Sequence, residues 1–286
     1  MRNNDQLDTT VVVGIGYTGQ RLLARLPATR IGLGRTNIRG ERVAQLDLDH
    51  PASWPAPLAE PGQSALSIVY TVPPSTVAEP DPRIQRLLGL LPRVPQRFVY
   101  ISTTGVYGDR QGARVAETAK PAPATDRARR RSHAEDLLRK WSAEQDVDLV
   151  VLRVPGIYGP GRLGLERIRA GHPILREQDC NPGNRIHVDD LVSCCLAALD
   201  RGTAPGIYNV ADGDERSSSW FTLEVARQAG LAAPPVISRA AAEQQFSAAR
   251  LSFLNESRRL DLGKMHGVLR PGIKYTDAAD GIAASL

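Results

Sequence analysis

Short aliphatic and β-branched runs alternate with helical apolar stripes along the first two thirds of the chain. Residues 9–13, Thr-Thr-Val-Val-Val, lack polar alternation, as a strand covered on both faces does. A helical pattern follows at once, with Leu22, Leu23 and Leu26 on one stripe. Further strands are expected at 29–36, 43–49, 65–72, 97–102 and 147–154, the run at 65–72 being stopped by Pro73 and Pro74. A short helix fits 84–91, ended by Pro92 and Pro95. A longer one fits 124–143, with Ala134, Leu137, Leu138 and Trp141 on one face. Residues 51–62 and those up to Pro82 are proline-rich and read as loops, the first with a short helix. Beyond residue 154 the order weakens. Residues 155–183 are loop-rich, 191–199 read as a buried helix and 207–210 as a strand, and the remainder looks like helices and short pieces. Strands alternating with helices, joined by right-handed crossovers, make an α/β chain with a doubly wound parallel sheet.

Composition narrows the function classes. A chain of 286 residues with 42% hydrophobic residues can bury a sizeable core. No apolar run reaches the ~18 residues of a membrane helix, and Met1 to Gln6 lack the apolar segment of a signal peptide. Cys180, Cys194 and Cys195 are an odd set without metal-ligand spacing. They read as small core residues of a cytoplasmic protein. The net charge of +5 is carried mostly by arginine, with one dense run from Arg127 to Arg131. No aromatics interleave with that run, so it lacks the stacking half of a single-strand platform, and nucleic acid is not the expected partner.

The segment between the first strand and the first helix carries the chemistry: Gly14-Ile15-Gly16-Tyr17-Thr18-Gly19. Gly14 can take a tight turn. Gly16, without a Cβ, lets a pyrophosphate approach the backbone, and Gly19 lets the helix pack on the strand. The helix N-terminus offers free N–H groups and a positive dipole end. A dinucleotide is the expected ligand. The second strand ends in Arg35, with Arg39 close behind and no acid at that point. An arginine there accommodates a 2′-phosphate, which favours NADP over NAD.

Four further segments resemble the extended short-chain dehydrogenases/reductases of the NAD-dependent epimerase/dehydratase group. They are Ser102-Thr103-Thr104-Gly105-Val106-Tyr107-Gly108, Leu152-Arg153-Val154-Pro155-Gly156-Ile157-Tyr158-Gly159-Pro160-Gly161, Arg185-Ile186-His187-Val188-Asp189-Asp190-Leu191, and Gly206-Ile207-Tyr208-Asn209-Val210. They stand in family order and, with the glycine turn, span most of the chain. The resemblance implies a Rossmann-type domain over 1–154, to which 184–212 return. A smaller C-terminal substrate-binding part would comprise 155–183 and 213–286. It implies a small-molecule substrate of the nucleotide-sugar kind. Thr103 falls on the catalytic Ser/Thr that bonds the substrate oxygen. Ser102, Thr71 and Val72 would line the cofactor cleft, Asp47 and Leu48 would hold the adenine, and Pro155 and Ile157 would lie near the nicotinamide.

One departure limits what is inherited. The family carries Tyr-x-x-x-Lys on the next helix, and Ala134-Glu135 sets the register. Counting back puts Arg131 on the lysine and Arg127 on the tyrosine. Arg131 can still donate to ribose hydroxyls. Arg127 stays protonated at working pH and cannot replace an acid–base tyrosine. Tyr107, four residues past Thr103, is a candidate for that role; Tyr158 and His133 are others, while His187 reads as capping or packing at its own turn. Two functions follow: an atypical NADP-dependent oxidoreductase, or an NADP-binding sensor or scaffold without turnover. Family members pair through the helices after the fourth and fifth strands. The first of these is short and hemmed by prolines here, so a monomer or weak homodimer is expected.

Overall fold

The computed structural model describes residues 9–27, 29–35, 43–50, 65–76 and 80–286. The loop expected at 51–62, Met1 to Gln6 and Arg39 lie outside these. Seven parallel strands form the central sheet: β1 (Thr9–Val13), β2 (Arg30–Gly34), β3 (Val43–Gln45), β4 (Leu66–Tyr70), β5 (Arg97–Thr103), β7 (Asp148–Val154) and β11 (Gly206–Asn209). Their order is β11-β7-β5-β4-β1-β2-β3. The order reverses between β1 and β4, which in such sheets opens a crevice beyond the strand C-termini.

The β1 valines explain why the run is apolar throughout. Val12 packs into one core layer, with Val69, Val99 and Val150. Val11 and Val13 point to the opposite layer, with Ile68, Tyr70, Phe98 and Tyr100. A strand sends successive side chains to opposite faces, so a sheet covered on both sides needs both sets apolar. Helix α1 (Tyr17–Arg25) and helix α5 (Val188–Leu199) cover the first face. Helix α2 (Pro82–Leu90) and helix α3 (Asp126–Gln145) cover the second.

Caps explain the helix boundaries. Helix α2 starts two residues before the expected Ile84, because the Asp81 carboxylate accepts from Arg83 N and Pro82 occupies the first turn. Helix α3 begins at Asp126 because the Thr125 hydroxyl accepts from Ala128 N. The strand expected at 43–49 stops at Gln45. The chain then turns through Asp47, whose carboxylate accepts from Asp49 N.

The loop-rich stretch 155–183 holds more structure than its pattern shows: β8 (Gly156–Tyr158), helix α4 (Leu165–Arg169) and β9 (Ile174–Leu175). Its two strands each pair with one partner from later in the chain. Strand β8 pairs with β10 (Arg185–His187), β9 with β12 (Val236–Ile237), and β6 (Arg114–Val115) with β13 (Arg259–Leu260). Helix α6 (Ser218–Gln228) and the C-terminal helix Ala278–Ala283 pack with α4 in a separate small core around Tyr158, Ile168, Val225 and Ile282. Cys194 and Cys195 are fully buried in the main core, where burial pushes the Cys195 thiol up to about 12. No described helix is long and apolar enough to cross a membrane, and no described cluster of His, Cys, Asp or Glu is arranged to hold a metal ion.

Candidate functional site

A cleft of about 770 Å³ opens over the C-terminal ends of β1, β2, β4, β5 and β7. Its floor is the glycine turn. Gly14 has φ +101°, and a Cβ there would sit 2.7 Å from Thr71 Oγ1. That hydroxyl donates to the Gly14 carbonyl at 2.5 Å and tethers β4 to the turn. A Cβ on Gly16 would meet nothing within 4 Å, so the backbone there lies open to a ligand. Helix α1 starts at this point without a side-chain cap and without an acid in its first turn. Its N–H groups and dipole are left to an anion. These features fit a dinucleotide.

Gly14, Ile15, Gly16, Tyr17, Thr18, Arg35, Asp47, Leu48, Thr71, Val72, Ser102, Thr103, Arg131, Pro155 and Ile157 all line this cleft, as does Arg127. Gly19 does not. Any Cβ there would collide with the Gly14 carbonyl oxygen, so this glycine serves the packing of α1 on the turn.

At one end stand Arg35, Asp47, Leu48 and Asp49. Arg83 grips the Asp49 carboxylate with two bonds, of 2.7 and 2.6 Å. This bond holds the Asp49 acid below its ordinary range. Arg86 donates to the Leu48 and Asp49 carbonyls at 2.8 and 3.0 Å. Helix α2 thus pins the loop after β3. Sequence reasoning missed Arg83 and Asp49, although Asp81-Pro82-Arg83 after a proline loop was a helix-start signal. It also missed Arg162, which follows the Tyr158-Gly159-Pro160-Gly161 segment and stacks 3.9 Å from the Tyr17 ring centroid. The Tyr17 hydroxyl donates to the Pro160 carbonyl at 3.1 Å, which closes α1 against that segment.

At the other end stands Thr103, half-buried where β5 gives way to a 3-10 turn (Thr104–Tyr107). Gly105 N donates to Thr103 Oγ1 at 3.2 Å. A hydroxyl that accepts there keeps its own hydrogen to donate elsewhere. Ser102 sits behind, its hydroxyl donating to the buried Glu135 carboxylate. Glu135 also holds Arg153 at 2.7 Å. Arg131 is 5% exposed and donates to the Tyr100 hydroxyl at 3.1 Å and the Ile101 carbonyl at 2.8 Å.

Tyr107 is corrected by its surroundings. It is fully buried and does not line the cleft, and its hydroxyl donates to Asn209 Oδ1 at 2.6 Å. Asn209 in turn donates to the Val115 and Asp261 carbonyls, so Tyr107 braces β11 and is not presented to a substrate. Tyr158 and His187 are also withdrawn. Tyr158 stacks edge-on with His187 and Phe221 in the small core, and burial drives its hydroxyl pKa far up. His187 caps α5 by accepting from Asp189 N, as its turn suggested. His133 is exposed on α3 and outside the cleft.

Comparison with known proteins agrees with this architecture. The chain is 28% identical over 240 residues to Protein YeeZ of Escherichia coli (strain K12), covering 78% of this chain and 84% of that protein. It superposes on the structure of a functionally unknown conserved protein from Silicibacter pomeroyi DSS with a TM-score of 0.75 and 27% identity, over 97% of this chain and 98% of that one. It shares the fold of UDP-glucuronic acid 4-epimerase from Bacillus cereus, solved in complex with NAD, with a TM-score of 0.73 and 17% identity over 97% of each chain. Residues 11–211 match the model of the NAD dependent epimerase/dehydratase family. With the glycine turn, the seven-stranded order and the cleft all in register with that match, the chain belongs to the NAD dependent epimerase/dehydratase family.

Proposed function

We propose that this protein is an atypical NADP-dependent oxidoreductase of the epimerase/dehydratase type, in which Thr103 polarises the reacting oxygen and no tyrosine supplies the proton. The observation that carries this reading is the Thr103 hydroxyl. It is held as an acceptor by Gly105 N, with no acceptor for its own hydrogen among the described residues, in the same cleft as the open glycine turn. A dinucleotide bound there supplies a hydride donor or acceptor. The glycine turn and the first N–H groups of α1 hold its pyrophosphate, and Arg35 offers a cation to a 2′-phosphate. Arg131, fixed by Ile101, keeps a positive charge beside Thr103. Pro155 and Ile157 wall this end of the cleft.

In this reading residues 155–183 and 213–286 form the substrate-binding cover over a Rossmann domain of 1–154 with 184–212. The substrate is a nucleotide sugar or a related carbonyl or hydroxyl compound, and the protein works in the cytoplasm as a monomer or weak dimer. A second reading, a sensor of the NADP pool without turnover, is favoured by one observation. Among the described residues, the cleft lining contains no histidine, and its one tyrosine, Tyr17, is engaged with Pro160. NADPH oxidation across a panel of carbonyl compounds and nucleotide sugars separates the two. Turnover lowered by Thr103→Ala supports the enzyme. Tight NADPH binding with no turnover of any compound replaces it with the sensor.

A further inference from the structure

The Thr103 end of the cleft concentrates positive charge without an internal answer. Arg127 and Arg131 stand four residues apart on α3 and both line the cleft. Like charges at this spacing repel. Arg127 also lies in the first turn of α3, where the helix dipole disfavours a cation. The acid of that turn, Asp126, is engaged by Arg129. Arg127 has no carboxylate and no hydrogen-bond partner among the described residues. Among the described residues, the carboxylates of the cleft lining are Asp47 and Asp49, which belong to the Arg35 end, and Asp49 is taken by Arg83.

Geometry sets this charge beside Thr103. A Cβ built on Gly105 would lie 3.5 Å from Thr103 Oγ1 and 3.6 Å from Ala128 Cβ, so the first turn of α3 abuts the threonine turn. Arg131 donates to the carbonyl of Ile101, two residues before Thr103. We propose that Arg127 and Arg131 form an anion subsite that holds a carboxylate or phosphate of the substrate next to the oxygen bonded by Thr103. The proposal rests on the oxidoreductase reading only for calling that anion the substrate's. A guanidinium fork matches both groups, and a charge-assisted bond there removes the repulsion that the empty pair suffers. The arginine that displaced the acid–base tyrosine is on this view a specificity residue: it selects substrates charged beside the reacting carbon.

The test is calorimetric titration of the NADPH-bound protein with malonate, with neutral malonamide at the same ionic strength as control. Inorganic phosphate is titrated in parallel to separate the two anion types. The subsite predicts that malonate or phosphate binds, that malonamide does not, and that Arg127→Gln weakens the anion about tenfold or more while NADPH affinity is kept. Arg127 is exposed and unbonded, so this variant keeps the fold. Arg127→Lys retains part of the affinity. Equal binding of malonamide, an unchanged affinity in Arg127→Gln, or no anion binding at all overturns the proposal. So does displacement of malonate by NADPH together with loss of NADPH affinity in the variant, which assigns the arginines to the cofactor's phosphates. Anion binding is read without turnover. Failure of the oxidoreductase reading, with no compound reduced, therefore leaves it separately visible.

Discussion

Arg153 Nη2 lies 2.7 Å from Glu135 Oε2, and both side chains are nearly withdrawn from water. The pair joins α3 to β7, and the Ser102 hydroxyl on the same carboxylate adds β5. The Arg153 guanidinium also stacks 4.7 Å from the Tyr107 ring centroid. The platform beneath Thr103 is therefore one buried polar network. Removing one partner of such a pair strands the other's charge. Glu135→Ala should cost about 3–5 kcal/mol of stability, read from the midpoint of urea unfolding. A loss within experimental error would mean that Arg153 finds another partner.

Thr103→Ala should lower turnover on any accepted carbonyl substrate and leave NADPH affinity nearly unchanged, because its free hydrogen serves the substrate side. Thr103 also caps the turn after β5, and cap loss costs about 0.5–2 kcal/mol. Thr103→Ser separates the two roles, since it restores both cap and donor. Steady-state kinetics beside thermal melts of the three proteins would show which role dominates. Equal turnover in all three would make Thr103 purely structural.

Arg35→Asp should weaken NADPH binding about 10- to 100-fold and barely affect NADH, the range of one charge-assisted phosphate contact. Fluorescence titration of both cofactors measures it. Matching affinities for the two cofactors in the unaltered protein would remove the preference for NADP altogether.

Asp212 gives a pH dependence of unusual sign. Its Oδ1 accepts from Asp214 N at 2.9 Å, while its buried Oδ2 has no partner among the described residues. Burial pushes its carboxyl up to about 7, whereas neighbouring Asp214 is held low by Arg216 and by backbone donors against its own burial. The folded protein thus binds the Asp212 proton more tightly than the unfolded chain does. Its contribution is fully present below about pH 4 and is lost as pH rises to about 7, at no more than about 1.4 kcal/mol per pH unit. Asp212→Asn keeps the acceptor for Asp214 N and cannot ionise. Urea midpoints measured from pH 5 to pH 8 should fall less steeply for the variant. Parallel curves would show that Asp212 titrates normally.

Local features of the sequence were enough for the parallel sheet and the cofactor floor. An unbroken Val11-Val12-Val13 run can only be satisfied by two apolar layers, and the glycine turn after it is one strand–turn–helix unit in which Gly14 takes φ +101° and a Cβ on Gly19 would meet the Gly14 carbonyl oxygen. The positions of Arg127 and Arg131 were legible too, because the resemblance to the family's Tyr-x-x-x-Lys segment, with its register set by Ala134-Glu135, places them on one helix. What a side chain meets across the fold was not. Tyr107 and Thr103 are four residues apart and equally plausible as hydroxyl donors in the sequence. Asn209, more than a hundred residues away, captures one, while Gly105 orients the other beside the cleft. Asp49 and Arg83, and Tyr17 and Arg162, likewise meet only when α2 and the segment after β8 close on the sheet. Backbone conformation follows from neighbours along the chain. The partner of a polar group is chosen by desolvation and distance in three dimensions, and only the tertiary structure decides it.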